Sequence, residues 1–161
     1  MSVTNDMVAS LRRPGEVMRR HLALGQREDR ALIYLMASCV VFLIANLPVI
    51  SRNAHLNGVD IGPELGGTVL AWLFVAPLGL YLVAAVLGVF TKALGCKAGW
   101  YGNRLVLFWS LLVSTPFILL NGLTAGLIGP GIQLNIVGAL WLLVFLWVFF
   151  GSLRVACKDS A

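Results

Sequence analysis

Three runs without a charged residue dominate the chain, at positions 31–51, 65–91 and 105–153. A hydrocarbon layer about 30 Å thick is crossed by roughly 20 helical residues, so each run is long enough to span it. The third run is long enough to cross twice. Gly129-Pro130-Gly131 divides it, because proline and glycine together do not carry a helix onward. The pattern therefore predicts four spans, at 31–50, 67–91, 105–128 and 136–153. They are bounded by Arg27-Glu28-Asp29-Arg30, Lys92, Arg104 and Arg154. The expected fold is all-α: a polytopic transmembrane helical bundle (31–154) preceded by an arm (1–30) and followed by a short tail (155–161).

The first thirty residues have a different periodicity. Pro14 suits the first turn of a helix, and Glu16 sits well at the positive end of its dipole. Val17, Met18, Leu22 and Leu24 fall on one arc of the wheel, with Arg19 and Arg20 outside it. With Arg12 and Arg13 just upstream, the segment predicts either a basic amphipathic helix lying on an anionic membrane surface, held by Val17, Met18 and Leu22 in the interface, or an arm that is solvated or packed on a partner with no preference for lipid. Composition adds that water is the wrong solvent. The chain is 59% apolar and 12% charged, with a mean hydropathy of +0.89. A soluble domain carries about twice that charged share. Nucleic-acid binders and soluble nucleotide-binding enzymes are excluded on that ground, although the net charge is +5. The polar N-terminus predicts no cleavable signal peptide.

Charge fixes the expected orientation. Eleven of the twelve lysines and arginines fall in the arm, the loop between spans two and three, and the C-terminal tail, against Arg52 alone on the other side. Such asymmetry in short loops places the basic side in the cytoplasm. Both termini are then cytoplasmic in a bacterial inner membrane, consistent with an even number of spans.

Candidate chemistry is sparse. All seven carboxylates lie outside the spans, and His21 and His55 are placed on opposite sides of the bilayer. No hydrolase or metalloprotease motif occurs. Cys39, Cys96 and Cys157 have no metal-ligand spacing and signal no disulfide framework. No catalytic, metal or cofactor residues are assigned, and a non-enzymatic role is expected. Inside the spans the polar residues are neutral, among them Tyr81, Ser110, Ser114 and Asn121. Such groups commonly bond between helices, or line a path for a neutral solute. Pro77 and Pro116 should kink their spans, with Ser114 and Thr115 placed to satisfy backbone groups that Pro116 frees. Gly122 and Gly126 form a GxxxG spacing for close helix approach. On the third span the wheel turns Ser110, Ser114 and Asn121 into the bundle. Trp109, Val113, Leu120 and Leu127 form a lipid-facing stripe.

Several short stretches resemble the Yip (Ypt-interacting protein) domain family, in particular its small bacterial members. They are Arg13-Pro14-Gly15-Glu16-Val17, Glu28 before Ala31-Leu32, Ala76-Pro77-Leu78 followed by Tyr81, and Arg104-Leu105 leading to Phe108-Trp109-Ser110 and Pro116. The resemblance covers roughly residues 13–153 and implies an all-helical integral membrane protein. Eukaryotic members bind Rab-type GTPases through a longer cytoplasmic region with an Asp-Leu-Tyr-Gly-Pro motif. That motif has no counterpart here, and the family is usually described with five spans rather than four. The expected function is to scaffold, shape or organise membrane; the alternative is a small transporter or channel subunit for a neutral solute. Expected partners are the bilayer, with anionic lipids at the cytoplasmic face, and a protein partner or a second copy of the chain.

Overall fold

The structure is a computed structural model that describes residues 3–96 and 98–159. Two short helices, α1 (Val3–Arg12) and α2 (Pro14–Ala23), precede α3 (Glu28–Asn57). The second span runs continuously from Ile61 to Ala93 as α4 (Ile61–Leu70), a π-helical turn (Ala71–Val75) and α5 (Ala76–Ala93). Helices α6 (Gly99–Leu127) and α7 (Ile132–Asp159) complete the chain. Among the described residues four helices are thus long and apolar enough to cross a membrane, as the charge-free runs predict. The chain is an all-α helical bundle of the multi-pass membrane type. Each spanning helix outruns its predicted apolar segment, because hydrophobicity marks where the hydrocarbon lies and not where a helix stops.

Local chemistry explains the boundaries. Arg13 leaves the helical region (φ −139°, ψ 68°), as residues before proline tend to, and separates α1 from α2, which starts at Pro14 as that proline predicts. Gly58 closes α3 in the left-handed conformation, with φ 62°. Asp60 caps α4 by accepting from the Gly62 amide at 3.3 Å. Gly129 ends the third span with φ 94°, and its amide donates to Thr124 O at 3.2 Å. Pro77 has no amide hydrogen, and the turn just before it widens instead of breaking, with the Ala76 amide donating to Ala71 O five residues back.

The axis of the bundle is α6, which packs most extensively on α3, then on α7 and α5. From Tyr101 to Thr115 it is buried on all sides, apart from half-buried Arg104. Helices α1 and α2 do not stand apart from this bundle. They lie against α6 and α7 and share its core, with Val17, Met18, Phe108 and Trp109 fully enclosed together with Leu35 and Val148.

Candidate functional site: the basic cap and the α6 interface

The arm closes the end of the bundle that holds both termini. Pro14 presses on Gly151, where an added Cβ would meet the proline ring, and Gly15 lies against Val155. The Trp109 indole donates to Ser10 Oγ at 3.0 Å, and the Trp147 indole donates to the Leu11 carbonyl at 3.3 Å. Val17 and Met18 are buried and Leu22 half-buried, whereas Arg12, Arg13, Arg19 and Arg20 are exposed. Of the two readings of the arm, insertion of Val17 and Met18 into lipid is corrected, and the packed arm is the one observed. Their stripe is covered by protein. The reason is that the arm folds back onto apolar stretches of α3, α6 and α7 inside the charge-free runs, so that Val17 and Met18 share one core with Leu35, Phe108, Trp109 and Val148.

Beneath this cap sits His21, 7% exposed, with neither ring nitrogen hydrogen-bonded. Its ring packs on Trp109 (centroids 4.4 Å apart) and edge-on to Tyr34 (5.7 Å). Burial pushes its pKa below the usual histidine value. Nearby Asp6 opposes that shift, while Arg30 and Arg20 add to it. Arg20 pairs with Asp6 at 3.6 Å, and Arg104 pairs with Glu28 at 2.5 Å, tying α6 to the start of α3. His55 lies in the last turn of α3, 21 residues beyond Tyr34 and so about 30 Å along the helix. The two histidines share no site.

At the opposite end, the GxxxG spacing brings backbones together. A Cβ on Gly122 would overlap the Ala45 carbonyl, and one on Gly126 would overlap Pro48, so only hydrogen fits at either position against α3. Arg52, the lone basic residue of that side, donates to the Gly126 and Leu127 carbonyls at 3.2 and 3.3 Å. A guanidinium satisfying the last carbonyls of α6 also meets the negative end of its dipole. That role was not read from the sequence, where Arg52 stands only as the exception to the charge rule.

The neutral polar residues bond mostly within their own helices. Ser110 Oγ donates to Val106 O (2.7 Å), Ser114 Oγ to Leu111 O (2.8 Å) and Thr115 Oγ1 to Leu112 O (2.7 Å). Leu112 O is the acceptor that the ring nitrogen of Pro116 cannot serve, so Thr115 replaces the bond that Pro116 removes. Asn121 reaches across a turn of chain, donating to Leu134 O of α7 at 3.3 Å. Tyr81 packs edge-on to Phe108 (5.1 Å) beside a cavity of about 280 Å³ lined by Ala84, Ala85, Trp100 and Arg104. Asn121 lies 13 residues beyond Phe108, about 20 Å along α6, so Tyr81 and Asn121 are not brought together. The expected lipid-facing stripe of α6 is half corrected: Trp109 and Val113 are enclosed, while Leu120 and Leu127 are 48% and 77% exposed.

Cys96, in the turn after α5, is disulfide-bonded to Cys157 of α7, contrary to the reading that no disulfide is signalled. Sixty-one positions separate the two cysteines and no motif marks them, so only the fold could pair them. Cys39 is free and buried in α3. A largely apolar cavity of about 410 Å³ lies next to it at the middle of the spans, walled by Phe42, Trp72, Leu80, Leu111 and Trp141. Comparison with known protein families, with characterised proteins and with solved structures finds no match to this chain.

Proposed function

We propose that this is a non-enzymatic, Yip-like integral membrane protein that organises the membrane around it, with its basic cap at the cytoplasmic leaflet of a bacterial inner membrane. One observation carries the reading. The arm is fastened to the bundle by its apolar side and turns Arg12, Arg13, Arg19 and Arg20 outward. A basic surface rigidly attached to a bundle enriches anionic lipid around itself, each cation near such a surface contributing about 1 kcal/mol. This suits a scaffold better than a peripheral arm would, because the charge cannot drift from the spans it accompanies.

The test is reconstitution of the full chain in vesicles containing a fluorescent anionic phospholipid and a fluorescent zwitterionic one. Energy transfer from a dye on the protein should show anionic lipid enriched at the leaflet facing the arm. Changing the four arginines to Gln should bring that enrichment down to the zwitterionic level. Equal enrichment of both lipids by the unaltered protein refutes the reading. Protease access to the arm in right-side-out and inverted membranes checks the orientation.

A further inference from the structure

The orientation proposed above puts both ends of the Cys96–Cys157 disulfide in the cytoplasm, one in the loop between the second and third spans and one in the C-terminal tail. Thiols are kept reduced there, and the disulfides that do form are usually transient, serving catalysis or redox sensing. The surroundings suit exchange. Both cysteines are half-buried, and Cys96 lines a cavity of about 240 Å³ with Lys92, Trp100 and Asn103. Lys92, Lys97, Arg154 and Lys158 lie within four positions of one cysteine or the other, against Asp159 alone. A partly exposed, electropositive site favours the thiolate, which is the species that exchanges. Cys39, 1% exposed inside α3, offers none of this.

The two ends of the bond are held differently. Cys96 is fixed by the turn that closes α5: its own amide donates to Thr91 O at 2.9 Å, and the Leu94 amide donates to Phe90 O at 3.0 Å. Cys157 sits in the last turn of α7. It lies two residues beyond Val155, against which Gly15 packs, and six beyond Gly151, on which Pro14 presses. The disulfide thus ties the seat of the arm to a fixed point in the bundle.

We propose that Cys96 and Cys157 form a thiol–disulfide switch set by the cytoplasmic glutathione couple: the disulfide locks the end of α7 and with it the arm, and the dithiol lets both open. In reduction a glutathione thiolate attacks one sulfur and forms a mixed disulfide. The bond between the cysteines breaks, and its electron pair leaves on the other sulfur as a thiolate that takes up a proton. A second glutathione thiolate attacks the glutathione sulfur of the mixed disulfide and releases the remaining cysteine. Two glutathiones thus become one glutathione disulfide, and the pair gains two electrons and two protons. Oxidation is the same exchange run backwards. In a reducing cytoplasm the arm is held without the clamp, and oxidation fastens it. The inference rests on the cytoplasmic placement given under the proposed function, but not on the enrichment of lipid by the arm.

The test uses the detergent-purified full chain in glutathione buffers that run from oxidised to reduced. Alkylation after acid quenching and denaturation counts free thiols, one in the disulfide form and three in the dithiol. The count should pass from one to three without denaturant as the buffer becomes reducing. Amide hydrogen exchange over residues 151–159 and 14–24 should then quicken about tenfold. Cys157→Ser should exchange at the fast rate in both buffers; if it does not fold, the unaltered chain in the two buffers still decides. In acid-quenched cells the count should be three at rest and one after diamide, a thiol oxidant. A bond that glutathione opens only in denatured protein, a pair already oxidised in untreated cells, or exchange that opening leaves unmoved each overturns the proposal. The variant with the four arm arginines changed to Gln should respond to glutathione as the unaltered chain does. Loss of lipid enrichment with the switch intact therefore refutes the scaffold reading alone.

Discussion

Helix α6 has two different halves. From Pro116 to Leu127 exposure returns at Pro116, Leu120, Leu123 and Leu127, a spacing of four, three and four residues that leaves a single lipid-facing stripe. From Tyr101 to Thr115 there is no such stripe, because α1, α2, α3, α5 and α7 enclose the helix. Composition does not separate the halves, since both are apolar with scattered hydroxyls. Surroundings do. A helical wheel reads a helix correctly when its neighbours come from one side, and fails when a segment elsewhere in the chain folds back over the other side.

The largest expected effect lies in the enclosed half. Trp109→Ala removes the side chain on which His21, Tyr34 and Ser10 converge, and should cost about 3–5 kcal/mol. Thermal unfolding in detergent should fall steeply, and protease should gain access to the arm. Leu120→Ala, in the open half, should cost under about 1 kcal/mol, because its lipid contact is replaced by lipid. Equal losses for the two variants would erase the distinction between the halves.

Next in size is the Cys96–Cys157 disulfide, which clamps only the enclosed end. Closing a loop of this length commonly stabilises by about 2–4 kcal/mol. Dithiothreitol should lower the melting temperature of the unaltered protein and leave Cys157→Ser unmoved. The pairing also changes how the cysteines serve as topology markers: the cytoplasm keeps thiols reduced, so in inverted vesicles held free of reductant a thiol reagent should reach Cys96 and Cys157 only after dithiothreitol is added. Labelling of either from outside intact cells would contradict the orientation.

Within the open half, Asn121→Leu should lower the melting temperature more than Leu120→Ala, by about 1 kcal/mol, since it leaves the Leu134 carbonyl without its donor. The reverse order would place the polar face outward.

The smallest effect is that of pH. His21 is held neutral by burial, so its folded pKa lies below the unfolded value of about 6.5. The unfolded chain then binds the proton more readily, and stability is complete above pH 6.5 and declines as pH falls from there toward the folded value. Release of the arm, followed by protease digestion between pH 8 and pH 5, should rise on acidification and become pH-independent in His21→Phe. An unchanged profile in that variant would show that His21 is not the group responsible.

Much of this was legible because single residues dictate local events. Gly129-Pro130-Gly131 breaks an apolar run wherever it occurs. Thr115 stands one residue before Pro116, within reach of the carbonyl that the proline leaves free. Gly122 and Gly126 share a helix face by spacing alone, and in the structure that face is the one that meets α3. Other features left no local trace. Nothing near Cys96 points to Cys157. Arg52 gives no sign that it closes α6, 74 positions away at Gly126. The amphipathic pattern of residues 14–24 is the same whether the apolar side meets lipid or protein.

What the sequence by itself determined is therefore the solvent, the number of spans, the basic end and the points where helices break. These follow from hydrophobicity, charge and backbone restriction, which act over one to a few turns. Only the tertiary structure decided what covers each apolar face: the arm folded onto α6 and α7, the burial of Trp109 and His21, and the Cys96–Cys157 bond. An apolar stripe is satisfied equally by hydrocarbon and by another side chain, so the choice depends on which surfaces distant segments bring within reach.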